Sequence, residues 1–237
     1  MKSVVGLFDH VEDAYQAVDA LKNTGFTGED ISVVSRDANN EYSRYLDKDQ
    51  QKTGKSEDVS GGAAAGAGVG AVLGGLGGFL VSIGALAIPG IGPVVAAGPI
   101  LATLAGAGVG AVAGGIVGAL VDLGIPEEEA HTYAEGVKRG GTLVVVRTSD
   151  EMADQAASIL DRFNPVDLGR RSESWRQNNW SRFDETSQDW DADQIDRERA
   201  YYRDQQSIPV TGDRDEMFDQ PQNPTRRARI YLYGLGR

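Results

Sequence analysis

From Val59 to Val121 the chain carries no Asp, Glu, Lys or Arg. No other feature limits the fold as strongly. The run is built on a duplicated string: Ala65-Gly-Ala-Gly-Val-Gly-Ala-Val72 recurs as Ala105-Gly-Ala-Gly-Val-Gly-Ala-Val112. Between the copies, Ile88-Pro-Gly-Ile-Gly-Pro93 is a breaker. The pattern predicts two apolar helices folded back as a hairpin over residues 61–124. Glycines recur every fourth residue in each arm, at Gly66, Gly70, Gly74 and Gly78, then at Gly106, Gly110, Gly114 and Gly118. That period sets each group on one helix face, where small residues let backbones approach closely. These eight glycines are the candidate helix-packing and assembly residues.

Two readings of the hairpin follow. Each arm has the length that a bilayer needs, since a helix of about 20 residues spans roughly 30 Å. A hairpin also returns both flanks to one side. On this reading lipid is a partner, and both flanking halves lie on the cytoplasmic side of an inner membrane. The other reading is soluble. The arms are richer in Ala and Gly than in Leu or Ile, and glycine costs about 1 kcal/mol relative to alanine within a helix. The flanking strands, Val4–Phe8 and Leu143–Val146, are apolar at every position but Gly6, so both sheet faces require cover. The hairpin or another subunit supplies it, and a homo-oligomer is expected.

The flanks read as two similar halves. In residues 1–36, Val4–Phe8 is a strand, Asp9 a helix cap, Ala14, Ala17, Val18 and Leu21 a helical stripe, and Ile31–Val34 a second strand. A strand–helix–strand unit runs its two strands parallel through a right-handed crossover. Residues 37–60 form a polar linker. In residues 125–169, a helix from Pro126 to about Arg139 leads to a strand at Thr142–Val146. A helix with Met152, Ala156, Ile159, Leu160 and Phe163 on its apolar side follows, then a short strand at Pro165–Leu168. Two such halves predict an α+β, ferredoxin-like split βαβ fold with the Gly/Ala-rich hairpin inserted between them. Residues 170–237 are rich in Arg, Asp, Gln, Asn and Ser. They are expected to be mostly disordered, with one helix near Asp193–Gln205.

Composition removes several function classes. The net charge of −12 argues against a nucleic-acid footprint, which needs clustered cations. Without cysteine there is no disulfide, thiolate nucleophile or Cys-ligated zinc, and two histidines, His10 and His131, make a His-built metal site poor. The N-terminus lacks the long apolar core of a secretory signal, so a cytoplasmic location is expected.

Short motifs add little. Gly66–Ala71 and its copy from Gly106 fit a loose dinucleotide-binding pattern, but neither has both the preceding strand and an acidic residue at the right distance. Thr53-Gly-Lys-Ser56 lacks the first glycine of a phosphate loop, and Asp189, Asp191 and Asp193 lack the Gly and Glu of a calcium loop. Glu127, Glu128 and Glu129 sit in a predicted first helical turn, where the helix dipole favours anions. Arg226–Tyr233 is a basic–aromatic patch suited to a partner or a membrane surface. No catalytic, cofactor-binding or metal-ligating residue is assigned, and any small-molecule ligand is unspecified.

Taken together, Val4-Val-Gly-Leu-Phe-Asp9, Asp30-Ile-Ser-Val-Val34, the hairpin with Ile88–Pro93, Gly124-Ile-Pro-Glu-Glu-Glu-Ala130 and Gly140–Val146 resemble the bacterial general stress (heat-induced, YflT-like) protein family over residues 1–169. The resemblance implies a stress-associated protein without an established enzymatic activity, and it supplies no catalytic residues.

Overall fold

A computed structural model of the 237-residue chain describes residues 1–36, 84–88, 91–106, 115–188, 190–206 and 226–232. The elements in order are β1 (Lys2–Phe8), α1 (Val11–Asn23), β2 (Ile31–Arg36), β3 (Gly84–Ile88), β4 (Gly92–Ala97), α2 (Pro99–Gly106) and α3 (Gly115–Asp122). Then come α4 (Glu127–Lys138), β5 (Thr142–Thr148), α5 (Ala153–Asp161), α6 (Leu168–Gln177), α7 (Ala192–Gln206) and β6 (Arg229–Leu232).

The strands form one antiparallel sheet in the order β3-β4-β2-β5-β1-β6. β5 lies between β1 and β2, with Val4 opposite Val146 and Val33 opposite Val144. The two strands of the first half are therefore parallel but do not pair, because the second half inserts its strand between them.

Both sheet faces are covered, as the two-sided apolar strands require. On one face Val4, Phe8, Ile31, Val33, Val144 and Val146 pack with α1 and α5. On the other, Val5, Leu7, Val34, Leu143 and Val145 pack with α2, α3 and α4. The charge-free run thus supplies two of the three helices that close the second face.

In its described part the run forms two strands and two short helices, not a long helical arm. β3 and β4 pair as an antiparallel hairpin, with Ile88 opposite Gly92, that extends the sheet beyond β2, with Val33 opposite Ala97 and Arg36 opposite Val94. Val94 and Val95 are β-branched, and a segment with no polar face can be buried on both sides of a sheet as readily as around a helix. At Gly98 the chain turns from β4 into α2 with φ +77°, and a Cβ there would come within 1.9 Å of the Ile31 carbonyl oxygen. Only glycine allows that approach. The Ile100 N–H then donates to Ser32 Oγ at 3.2 Å. Helices α2 and α3 have 8 residues each, about 12 Å at 1.5 Å per residue. Among the described residues no helix is long and apolar enough to cross a membrane. The expected first arm, Gly66, Gly70, Gly74 and Gly78 included, lies outside the described residues, as do the linker and Thr53–Ser56.

The C-terminal third also departs from expectation. Pro165–Leu168 forms no strand: the Val166 N–H makes a single bond to the Leu7 carbonyl at 2.7 Å, and Asp167 caps α6 by accepting from the Arg170 N–H. The strand that pairs with the outer side of β1 is instead β6, from the segment expected to be disordered. α6 and α7 are ordered as well, and α7 matches the helix expected near Asp193–Gln205. Residues 207–225 and 233–237 lie outside the described part.

Candidate functional site

Polar chemistry collects along the seam between α4 and the C-terminal third. Helix α4 buries Ala130, Tyr133, Ala134 and Val137 against the sheet. Its flanks then present Glu128, Glu129, Glu135 and Arg139 to the incoming tail; two stations form there, and a third lies where α6 and α7 meet the end of β1.

At the first, Arg139 caps the C-terminus of α4. Its guanidinium lies over two indoles, 4.6 Å from the Trp175 ring centre and 4.5 Å from that of Trp190. Nε donates to Glu135 at 2.7 Å, and Nη1 to Glu198 at 3.0 Å. Glu198 also accepts from Trp175 Nε1 at 2.8 Å, while Arg199 donates to the Gly140 carbonyl at 2.7 Å. Gly140, at φ +89°, turns the chain out of α4, and Ile195 fills the space where a Cβ would stand. Beside this station Lys138 and Arg36 are buried. Lys138 Nζ donates to Ser187 Oγ, and Arg36 donates to the carbonyls of Lys138 and Trp190.

At the second station Glu129 accepts from Arg229 Nη1 and from the Tyr231 hydroxyl, both at 2.5 Å. Tyr231 Oη lies 3.0 Å from Tyr133 Oη. Because the Tyr231 proton points to Glu129, Tyr133 is the donor in that pair. Burial pushes the hydroxyls of both tyrosines above the ordinary range, so both stay protonated at neutral pH.

The third station is a cleft of about 90 Å³ lined by Val166, Asp167, Arg170, Arg171, Ser174, Tyr202 and Arg227. Arg171 holds Asp9 through two parallel bonds of 2.9 and 2.7 Å and lies 3.6 Å from the Tyr202 ring centre. Tyr202 donates to Ser174 Oγ at 3.0 Å. Asp9 is therefore not the cap of α1. The cap position belongs to His10, without a side-chain bond, and the Asp9 carboxylate ties α6 to the end of β1. The cleft offers guanidinium donors and hydroxyls but no histidine or other neutral base.

Of the predicted assembly glycines, Gly106 and Gly118 lie among the described residues. Gly110 and Gly114 lie outside the described residues. Gly106 ends α2. Gly118 lies in α3, and a Cβ there would meet no atom within 4 Å, so it is not a point of close backbone approach among the described residues. Of the three first-turn glutamates, Glu128 pairs with Arg176 at 2.7 Å, Glu129 enters the buried cluster, and Glu127 lies 3.8 Å from His131 Nε2. The basic–aromatic patch is not a free surface: Arg226 and Arg229 are paired with Asp154 and Glu129, and the segment is an edge strand of the sheet. Among the described residues no group of three or more His, Asp or Glu is placed to hold a metal ion. Sequence reasoning missed the clamp on Arg139, for which tryptophans recurring among arginines in the tail were the visible signal.

Compared with protein-family models, with curated proteins and with solved structures, the chain matches none.

Proposed function

We propose that this chain is a non-enzymatic, stress-associated assembly protein with a ferredoxin-like split βαβ core. The order β2-β5-β1-β6, with α1 and α5 together on one face, supports that core. The observation that carries assembly is the state of the β3 edge. β3 pairs only with β4 among the described residues, and its sequence, Gly84-Ala-Leu-Ala-Ile88, has neither charge nor proline. Soluble proteins blunt such edges with lysine, proline or a bulge, because a bare row of N–H and C=O groups templates pairing with another chain. Here the edge continues a charge-free run, and among the described residues no such device stands on it. The partner is a second copy of the chain, joined through this run.

Ala85→Lys/Ala87→Lys tests the reading. Light scattering on the full chain should show an oligomer for the wild type and a lower mass for the variant, with the circular dichroism spectrum unchanged. A monomeric wild type at micromolar concentration would refute it. Carbonate washing of a membrane fraction separates lipid association from self-assembly.

A second reading, a small-ligand-binding regulatory module, draws on the cleft lined by Arg170, Arg171 and Arg227. A metabolite that raises the melting temperature of the full chain would favour it.

A further inference from the structure

The opposite sheet edge is built differently. β6 is not delivered to β1 by a tight turn. It is separated from α7 by the stretch 207–225, enough to span about 60 Å when extended. The place of Arg226–Leu232 is set by the contacts that this segment makes. Almost every residue from Arg226 to Tyr231 meets a specific partner. Arg226 pairs with Asp154 at 2.7 Å. Asp161 Oδ1, at the end of α5, accepts from the N–H groups of Arg227 and Ala228 at 2.9 and 2.7 Å. Ala228 is wholly buried, and Ile230 packs against the same face of the sheet. On the other face Arg229 and Tyr231 reach Glu129 and Tyr133. Backbone pairing runs from Val5 opposite Arg229 to Lys2 opposite Leu232.

This is how domains bind extended peptides: main-chain bonds to an open strand edge hold the segment, and pockets for alternate side chains select it. We propose that the outer edge of β1, with Glu129 and Tyr133 on one face and Asp161 on the other, is a peptide-binding site for the segment Arg226–Leu232. In an isolated molecule the chain's own tail fills it. When molecules meet, the same segment of a second copy takes its place, so that tails are exchanged between copies. Being part of the same chain gives the internal tail a high effective concentration, and exchange grows as protein concentration approaches it. This site is distinct from the β3 edge, and its test does not depend on that edge.

The probe is a fluorescein-labelled peptide of residues 226–232, read by anisotropy against the full chain. Wild type, with its site filled, should bind weakly. Full-length Arg229→Ala/Tyr231→Ala, with its own tail weakened, should bind at least tenfold more tightly. Adding Glu129→Gln to that variant should reverse the gain at least tenfold, and a peptide lacking the tyrosine should not bind. A tail-weakened protein that keeps a cooperative melt yet gains no binding overturns the proposal. One that no longer folds also overturns it, because β6 would then be an obligatory part of the core. Hydrogen exchange on the unmodified protein gives an independent reading. Amides of Arg229–Leu232 should exchange at least tenfold faster than those of Val144–Val146, and equal rates would mean that β6 opens only when the whole fold does.

Discussion

Arg139→Ala removes one side chain and loosens three segments at once. The guanidinium is 15% exposed, and its first partner, Glu135, is 5% exposed. Among the described residues no other cation lies within salt-bridge distance of Glu135 once Arg139 is gone. Breaking a buried ion pair from one side typically costs about 3–5 kcal/mol, because the surviving charge stays desolvated. The two indole contacts add about 0.5–1 kcal/mol each, up to about 2 where desolvated, though these contributions are not independent of the ion pair. Glu198 is less affected, since it keeps the Trp175 Nε1 bond. A loss of about 3–5 kcal/mol is therefore expected, a large part of the about 5–15 kcal/mol that typical domains possess. Urea denaturation followed by tryptophan fluorescence measures it, and Trp175 and Trp190 should become more solvent-exposed in the native variant. Arg139→Lys should recover part of the ion-pair energy and little of the stacking, because ammonium lacks the planar face. A loss under about 1 kcal/mol with unchanged native fluorescence would refute the clamp, since it would match an ordinary exposed pair.

Two further outcomes follow from the geometry. Gly98→Ala would force a Cβ against the Ile31 carbonyl at 1.9 Å in a positive-φ conformation. The left-handed conformation alone costs about 1–2 kcal/mol, so a drop of more than about 2 kcal/mol in a thermal melt is expected, with faster hydrogen exchange in β4. Tyr133 and Tyr231 have hydroxyls raised by burial. Their folded pKa values exceed the unfolded value near 10, so their contribution is complete below about pH 10 and is lost as the pH rises beyond it. An alkaline titration should show stability falling above about pH 10, and Tyr133→Phe should reduce that fall.

Much of the framework was legible because its signals are local. β1, β2 and β5 are short apolar runs, and α1, α4 and α5 carry apolar residues at helical spacing, so each element announces itself within about ten residues. The charge-free run defeated the same reasoning for a physical reason. With charged residues absent and polar ones scarce, a segment shows no clear period, and period is what separates helix from strand. Only Val94-Val95 and the Gly/Pro-rich turn hinted at the hairpin. β6 was hidden differently. Its partner β1 stands at the opposite end of the chain, and Arg-Ile-Tyr-Leu among arginines reads as polar tail until Glu129 and Asp154 are set beside it. The stations along α4 are likewise pairings at long range, which no local spacing encodes.

The tail's lack of lysine becomes intelligible from these pairings. Residues 1–169 carry 11 basic and 22 acidic groups, whereas residues 170–237 carry 12 basic groups, all arginine. The tail also carries 13 acidic groups and is nearly neutral overall, so complementary charge would draw only its individual cations to the acidic body. It would not fix a register, because an ammonium is a point charge satisfied by many geometries. The contacts here need a plane and a fork. Arg171 binds both oxygens of Asp9 while covering the Tyr202 ring, and Arg139 on the body lies against two indoles of the tail. Bidentate and stacked contacts reject neighbouring registers as well as hold the right one. A tail with few large apolar side chains can therefore be ordered along a defined path: arginine geometry performs the selection that a hydrophobic stripe performs in α1 and α5.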